Sequence, residues 1–221
     1  MEKKIVHTAD GSKTIAIPQW NESYHSKHGA WQESQHVFIQ MGLAHTGLAS
    51  LSVFEMGFGT GLNAIQALLY AEKHRIIIDY HTLEAYPLEE ELWQQMDYED
   101  LLPNGLMRDF FRQMHRVEPE QSIPLGDYFR FTKYHADIHE FLPPTNPDLV
   151  FYDAFGPRVQ PDLWTSSIFE RLYSMMSPGG ILTTYCAKGE VRRTFQSLGM
   201  EVERLAGPPG KREMLRATKP K

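Results

Sequence analysis

The chain has 221 residues, of which 42% are apolar and 23% charged, and this length suits one sizeable α/β domain with room for an N-terminal addition. A formal net charge of -6 excludes a general attraction to nucleic acid, so any nucleic-acid site has to be a local basic patch. No apolar run is long enough to span a bilayer and the N-terminus lacks a signal-peptide core, so we expect a cytoplasmic protein.

The N-terminal residues predict a hairpin followed by a functional loop. Asp-Gly at positions 10 and 11 separates two β-prone runs, which is a strong hairpin signal. Residues 21–35 are rich in Tyr, His and Trp, and they predict either a binding surface, which we favour, or a packed cap. His25 and His28 lie three positions apart without a third ligand in a recognisable pattern, so we expect no metal site.

Two domain-level expectations follow from the same part of the chain. A helix should begin at Glu33 or Ser34 and continue to about Leu43. We expect residues 1–45 to form an appendage folded onto the sheet edge, and residues 46–221 to form the main domain.

Residues 51–65 combine a buried strand, a glycine-rich turn and an apolar-periodic helix. The strand ends at Glu55, and Gly57, Gly59 and Gly61 follow at alternate positions, where the missing side chains let backbone approach a ligand closely. The acid before the glycines disfavours a phosphate ligand and favours a ligand with a cationic end, such as S-adenosylmethionine. The spacing also departs from the dinucleotide pattern. The alternative is a glycine-rich turn without a ligand.

Acidic residues follow three later strands. Glu84 comes roughly 20 residues after the glycines, where nucleotide-binding units place the acid that binds the ribose hydroxyls. Asp137 follows another strand, where it is predicted to hold an adenine amino group, to cap a helix over residues 138–142, or both. Asp153 ends the predicted central strand. The carboxyl ends of parallel strands meet at one edge, which predicts a shared site.

The C-terminal third predicts a helix from Pro161 to about Met176, a strand, a second helix over residues 188–198 and a closing antiparallel pair. Counting the earlier strands gives a seven-stranded, mostly parallel sheet with helices on both faces, which is an α/β Rossmann-like fold. Cys186 lies in an apolar stretch and is expected to be a small buried thiol. The C-terminal basic residues are either a nucleic-acid patch or a solvated helix face with a polar tail.

Five stretches carry a family resemblance: residues 10–12, 22–30, 55–63, 153–157 and 207–214. On these stretches the chain resembles class I S-adenosylmethionine-dependent methyltransferases. More narrowly, it resembles the methyltransferase domain of the MnmC family of tRNA-modification enzymes and its stand-alone MnmD relatives. The resemblance covers nearly the whole chain. MnmC also carries a flavin-dependent oxidase domain, which a chain of this length is too short to contain, so we expect no FAD chemistry here.

The resemblance implies transfer of a methyl group from S-adenosylmethionine to the exocyclic amine of 5-aminomethyluridine, or its 2-thio form, at the tRNA wobble position. The product would be the 5-methylaminomethyl nucleoside. Asp153 is expected to orient the amine and take its proton, the alternative being a carboxylate that only stabilises its turn. Two rivals stay open: methyl or aminopropyl transfer to a small amine, and a non-catalytic scaffold.

The remaining site residues follow from position and charge, in two groups. The cofactor is expected to contact Glu55, Gly57, Phe58, Gly59, Gly61, Asn63, Glu84 and Asp137. The uracil is expected to stack among Tyr24, His25 and Phe155, and Lys188, Arg192, Lys211 and Arg212 are expected to bind phosphates of the anticodon stem-loop.

Overall fold

The computed structural model of the chain describes residues 1–96, 98 and 101–221. Its central sheet is built from parallel strands joined by helices. Within these residues the sheet has eight strands, in the order β10-β11-β9-β8-β4-β5-β7-β6. The strands are β4 (Ser50–Met56), β5 (Ile77–Leu83), β6 (Ile123–Pro124), β7 (Phe129–Tyr134), β8 (Leu149–Tyr152), β9 (Ile181–Thr184), β10 (Glu201–Ala206) and β11 (Glu213–Thr218).

The pairing confirms the predicted mostly parallel sheet. Strand β4 pairs in parallel with β5 and β8, and β7 and β9 extend the parallel set on either side. Strand β11 is antiparallel to β9 and β10, as expected for a closing pair. The difference from the predicted seven strands is β6, a two-residue strand antiparallel to β7 that is too short to show a period of its own.

Helices cover both faces of the sheet, as predicted. They are α1 (Ala30–Ser34), a π-helix (Gln35–Leu43), α2 (Ala44–Thr46), α3 (Leu62–His74), α4 (Glu90–Trp93), α5 (Gly105–Arg116), α6 (Ser166–Met175) and α7 (Gly189–Ser197), with short 3-10 helices at Pro18–Trp20, Gln94–Met96 and Pro161–Trp164. Successive residues of β4 point to opposite faces, so Val53 packs in the core under α3 and α5 while Phe54 packs in the core under α6 and α7.

The N-terminal helix lies on a face of the sheet, so its expected placement at the sheet edge is wrong. It begins at Ala30, earlier than predicted, and its π-helical part packs against β8 and β9, where the rings of Phe38 and Phe151 are 5.1 Å apart. Buried apolar side chains on this segment, among them Val37 and Ile39, belong to the same core as the sheet. Burial of this apolar surface determines where the segment lies.

Residues before the helix form a small antiparallel sheet of β1 (Lys4–His7), β2 (Lys13–Ile17) and β3 (Glu22–Ser23). The Asp10 carboxylate at the predicted hairpin turn accepts hydrogen bonds from the Thr8 hydroxyl and the Ser12 amide, and it also accepts one from the Gln32 amide in α1. The hairpin turn is thereby tied to the first turn of the helix.

Two other local predictions need correction. The helix predicted over residues 161–176 is interrupted at Thr165, whose extended backbone separates a 3-10 helix from α6. Residues 138–140 form a turn and not the helix expected after Asp137. Cys186 is buried as expected. Within the part of the chain that the structure describes, no helix combines the length and apolar character needed to cross a membrane.

Candidate active site

The carboxyl ends of the parallel strands bring the predicted site residues to one edge of the sheet. The glycine turn follows β4, Glu84 follows β5, Asp137 lies beyond β7, and Asp153 follows β8. Because β4 is hydrogen-bonded to both β5 and β8, the turn lies between Glu84 and Asp153.

The glycine turn needs its glycines for two separate reasons. Gly57 and Gly59 have φ angles of +95° and +52°, which residues with a side chain rarely adopt. A Cβ at Gly57 would lie 2.9 Å from the backbone oxygen of Asp153, and a Cβ at Gly59 would lie 3.2 Å from Cδ1 of Tyr24. The turn therefore passes close to the end of β8 on one side and to the N-terminal loop on the other.

Glu55 lies beneath the turn. Its side chain is fully buried, and Oε2 accepts a hydrogen bond of 2.7 Å from the Thr82 hydroxyl. Within the part of the chain that the structure describes, neither its Oε1 nor the Tyr80 hydroxyl has a hydrogen-bond partner. Burial raises the pKa of the Glu55 carboxyl to about 8, so it is largely protonated at neutral pH. The sequence predicted that Glu55 would line the ligand, whereas the structure places it under the backbone that would do so.

Glu84 and Asp137 are more exposed to solvent than Glu55. Glu84 Oε2 accepts a hydrogen bond of 2.9 Å from the Gly59 amide, and its Oε1 accepts one of 2.9 Å from the Tyr86 amide. Asp137 is exposed, and its Oδ1 accepts hydrogen bonds from the amide and the ring Nδ1 of His139. The backbone hydrogen bond from His139 lowers the pKa of Asp137. A carboxylate has about four acceptor positions, so both groups can accept further hydrogen bonds.

Asp153 is held in place by a hydrogen bond from α3, the helix that follows the glycine turn. Asn63, in the first turn of α3, donates a hydrogen bond of 2.8 Å from Nδ2 to Asp153 Oδ2, and Asn63 Oδ1 accepts one of 2.6 Å from the Ser34 hydroxyl. The Asp153 carboxyl is partly buried, and burial raises its pKa to about 7 against the lowering effect of the Asn63 hydrogen bond. Asp153 can therefore exchange a proton near neutral pH.

Asp153 opens into a cleft of about 360 Å³ between the N-terminal loop and the end of the sheet. The Tyr24 and Phe155 rings meet edge to face with centroids 4.8 Å apart, and the Trp20 ring also meets Phe155 edge to face, with centroids 5.5 Å apart. The residues that line the cleft are Asn21, Glu22, Ser23, Tyr24, His25, Ser26, Lys27, His28, Glu33, Asp153, Phe155, Gly156, Tyr185 and Lys211. The structure thus brings Tyr24, His25, Phe155 and Asp153 together, as the sequence predicted.

His25 is a neutral member of this cleft. Its Nδ1 lies 3.0 Å from the Thr14 hydroxyl, and burial lowers the pKa of the imidazole to about 4. Within residues 1–96, 98 and 101–221 there is no cluster of three or more His, Cys, Asp or Glu side chains that could hold a metal ion.

The four basic residues predicted to bind phosphate are in different surroundings. Lys211 lies inside the cleft, where its ammonium is paired with Glu33 and lies 3.9 Å from the centre of the Tyr185 ring. Lys188, Arg192 and Arg212 do not line the cleft. Lys188 and Arg212 are exposed, and Lys188 Nζ lies 3.7 Å from Glu190. Lys211 is therefore an inner residue of the site and not part of an outer phosphate patch.

The sequence prediction missed Glu33, Ser34 and Tyr185. The first two fall at the predicted start of a helix, where polar residues are ordinary, and Tyr185 follows an apolar strand. Lys211 belongs to one of the stretches that carry the family resemblance, but no pattern in the sequence relates it to Glu33. His115 was missed as well, and its Nε2 lies 3.1 Å from the Thr60 backbone oxygen in the glycine turn.

An open, mostly parallel α/β sheet with a glycine turn after one strand and carboxylates after its neighbours defines the chain as a member of the nucleotide-binding α/β class. The chain belongs to a family of S-adenosyl-L-methionine-dependent methyltransferases, whose family model matches residues 104–220. The prediction of an S-adenosylmethionine-dependent methyltransferase is thereby confirmed.

Curated relatives agree with this assignment. The chain is 29% identical to the tRNA 5-methylaminomethyl-2-thiouridine biosynthesis bifunctional protein MnmC of Nitrosospira multiformis, over 91% of this chain and 35% of that protein. It is 29% identical to the protein of the same name from Ectopseudomonas mendocina, over 89% of this chain and 32% of that protein. The chain thus spans about a third of the length of the curated relatives that it matches.

Solved structures share the fold. The crystal structure of MNMC2 from Aquifex aeolicus superposes with a TM-score of 0.78 at 24% identity, covering 100% of this chain and 72% of that one. Streptomyces venezuelae DesVI superposes with a TM-score of 0.51 at 13% identity, covering 86% of this chain and 92% of that one.

The residues of the site fit the S-adenosylmethionine that the family uses. The turn at Gly57 and Gly59 has no room for added side chains, and Glu84 and Asp137 offer free acceptor positions at the same sheet edge. Carboxylates with unused acceptor positions suit a ligand that carries hydroxyl and amino groups and a positive charge. We therefore propose that the glycine turn, Glu84 and Asp137 would hold it.

Proposed function

We propose that the protein methylates the exocyclic amine of 5-aminomethyluridine, or of its 2-thio form, at the wobble position of tRNA. The observation that carries this proposal is the position of Asp153: a carboxyl group with its pKa near 7 that opens into an aromatic-walled cleft beside the glycine turn. The names of the curated relatives, which refer to 5-methylaminomethyl-2-thiouridine biosynthesis, support the same choice of acceptor.

The acceptor amine has to arrive with a free electron pair, and Asp153 supports that requirement. Bound S-adenosylmethionine supplies an electrophilic methyl group on a sulfonium sulfur. Asp153 can accept a hydrogen bond from the amine, orient its lone pair and take the proton that the methylated nitrogen releases. Asn63 fixes the carboxylate in place through Oδ2, which leaves Oδ1 for the amine.

The aromatic residues of the cleft suit a base that is unstacked from RNA. Tyr24 and Phe155 present ring faces and edges beside Asp153, and single-stranded RNA bases are commonly held by stacking on such side chains. Arg158 braces this wall because its guanidinium donates to the backbone oxygens of Trp20 and Asn21 and to the Glu22 carboxylate. We propose that this wall receives the wobble uracil.

The test is methyl transfer to tRNA that carries the aminomethyl group without its terminal methyl. The protein is incubated with labelled S-adenosylmethionine and that tRNA, and the digested nucleosides are separated. We expect label in 5-methylaminomethyl-(2-thio)uridine and a loss of about 100-fold or more in turnover for Asp153→Asn, with cofactor affinity nearly unchanged.

The matched control is Asp162→Asn, which makes the same chemical change at an exposed position outside the cleft and should retain full turnover. Label only in polyamines or other small amines would replace tRNA with a small-molecule acceptor. Absence of S-adenosylmethionine binding in calorimetry would instead favour a non-catalytic scaffold.

A further inference from the structure

The N-terminal loop (residues 21–28) and the turn between β10 and β11 (residues 207–212) meet over the cleft. The ring of His28 packs so closely against Gly210 that an added side chain there would collide with it. Nearby, His36 Nε2 lies 2.7 Å from the Ala206 backbone oxygen. Two segments that are distant in sequence therefore form one wall of the site.

A partly buried ion pair joins these two segments. The Lys211 ammonium contacts Glu33 Oε1, and Glu33 Oε2 accepts a hydrogen bond of 2.6 Å from the Ser26 amide in the N-terminal loop. Only 7% of the Glu33 side chain is exposed, so its charge is poorly screened by solvent. A charge pair in such a position affects the other ionisable groups of the same cleft.

Asp153 lines the same cleft as both members of the pair. The negative charge of Glu33 disfavours the ionised form of Asp153, and the positive charge of Lys211 favours it. The other charged or titratable groups that act on Asp153 or are affected by it are Glu55 on β4, Tyr80 on β5 and Tyr185 after β9, while Asn63 on α3 donates the hydrogen bond already described. Of these groups, Glu33 and Lys211 oppose each other directly.

We propose that Glu33 and Lys211 are positioning residues for Asp153: their ion pair closes the N-terminal loop over the cleft and balances the charge around the Asp153 carboxylate. The pair acts through Asp153 and does not itself exchange a proton with the acceptor. This inference rests on the proposed function. Its central claim concerns the ionisation of the Asp153 carboxyl group, which can be measured without turnover.

Because the charges of Glu33 and Lys211 act on Asp153 in opposite senses, removing one or the other should shift the pKa of Asp153 in opposite directions. Glu33→Gln removes the negative charge and leaves Lys211 near Asp153, so the pKa of Asp153 should fall by about one unit. Lys211→Met removes the positive charge, and Glu33 keeps its hydrogen bond from the Ser26 amide, so the pKa of Asp153 should rise by a similar amount. Lys211→Arg keeps the charge and should restore the wild-type value.

The experiment follows the Asp153 carboxyl by NMR in protein labelled with ¹³C at the aspartate carboxyl carbons, using Asp153→Asn to assign the resonance. Titrations are recorded for wild type, Glu33→Gln, Lys211→Met and Lys211→Arg. The low-pH side of the pH–rate profile for methyl transfer to tRNA is measured in parallel. The control pair is Glu2→Gln and Lys4→Met, whose exposed ion pair of 3.1 Å lies outside the cleft.

Opposite shifts of the Asp153 midpoint, with the control variants at the wild-type value, support the proposal. If the Asp153 midpoint is the same in Glu33→Gln and Lys211→Met, or moves in the same direction in both, the proposal is overturned. The ion pair is then only a structural contact, whatever the variants do to thermal stability. A wild-type protein that does not methylate tRNA but shows the opposite shifts overturns the proposed function and leaves this inference standing.

Discussion

Asn63 and Asp153 are hydrogen-bonded across a sequence separation of 90 residues, with Asn63 Nδ2 2.8 Å from Asp153 Oδ2. Asn63 lies in the first turn of α3, which follows the glycine turn, and Asp153 follows the neighbouring strand β8. The bond couples the part of the site assigned to the cofactor with the part assigned to the acceptor. The Ser34 hydroxyl completes the chain by donating to Asn63 Oδ1.

This coupling predicts the effect of Asn63→Ala. The change leaves the buried Ser34 hydroxyl and Asp153 Oδ2 without a partner, so we expect a loss of about 2–3 kcal/mol in the free energy of unfolding. It also removes a hydrogen bond that lowers the pKa of Asp153, so that pKa should rise. Denaturant unfolding and the pH dependence of turnover measure the two effects.

Ser34→Ala is the control for Asn63→Ala because it removes one hydrogen bond and leaves the Asn63–Asp153 bond intact. It should cost about 1 kcal/mol and leave the acid limb of the activity profile in place. Equal shifts of that limb in the two variants would contradict the role given to Asn63.

Gly57→Ala should abolish cofactor binding at a larger cost in stability than the same change at a control glycine. Both Gly57 and Gly47 have positive φ angles, +95° and +63°, so each alanine variant carries a backbone penalty of about 1 kcal/mol. Only the Cβ at Gly57 meets backbone, at 2.9 Å from the Asp153 oxygen, while nothing lies within 4 Å of a Cβ at Gly47. Calorimetric titration with S-adenosylmethionine should show binding to the Gly47→Ala protein alone.

Glu55→Gln should stabilise the protein increasingly as the pH rises. The pKa of the Glu55 carboxyl is raised by burial from 4.5 to about 8 in the folded state, so the folded protein binds this proton more tightly than the unfolded chain does. The stability of wild type therefore falls between about pH 4.5 and pH 8 by at most about 1.4 kcal/mol per pH unit from this group.

The glutamine at position 55 does not ionise and avoids that loss. The difference in melting temperature between Glu55→Gln and wild type should therefore grow from pH 5 to pH 8 and then level off. A constant difference over this range would show that Glu55 does not carry a raised pKa. Glu72→Gln is not a suitable comparison because Glu72 Oε1 accepts backbone hydrogen bonds from Asp127 and Tyr128, so the exposed Glu89→Gln serves as the control.

Arg212→Glu should weaken tRNA binding, and the effect should depend strongly on salt. Arg212 is exposed beside the cleft residue Lys211, and a cation that contacts phosphate contributes through the release of counterions. We expect a higher KM for tRNA, an unchanged kcat and a smaller slope of log affinity against log salt. Filter-binding measurements at several salt concentrations test this, and affinity equal to wild type at every concentration would remove Arg212 from the interface. Arg130→Glu, an exposed change on β7, is the control.

The sheet and the carboxyl-edge residues were predictable because the signals are local. Alternating strands and helices favour parallel pairing, and parallel pairing collects the strand ends, so Glu84 and Asp153 could be placed at the same sheet edge as the glycine turn without a structure. The position of Glu55 was misjudged because a residue just before a turn can point into the ligand or under the turn, and the sequence has the same pattern in both cases.

The pair of Glu33 and Lys211 could not be predicted in the same way. The two residues are 178 positions apart, and neither strand periodicity nor helix periodicity relates segments at that distance. The helix that carries Glu33 was also assigned to the sheet edge, although burial of Val37, Phe38 and Ile39 draws it onto the sheet face. Once the helix lies on the face, Glu33 and Lys211 can meet at the cleft.

The contact between the N-terminal loop and the β10–β11 turn also bears on synthesis of the protein. A ribosome-bound chain that ends after β8 contains the glycine turn and Asp153, but it lacks Tyr185 and Lys211, which also line the cleft. The lining of the cleft is therefore complete only when the final hairpin has left the ribosome.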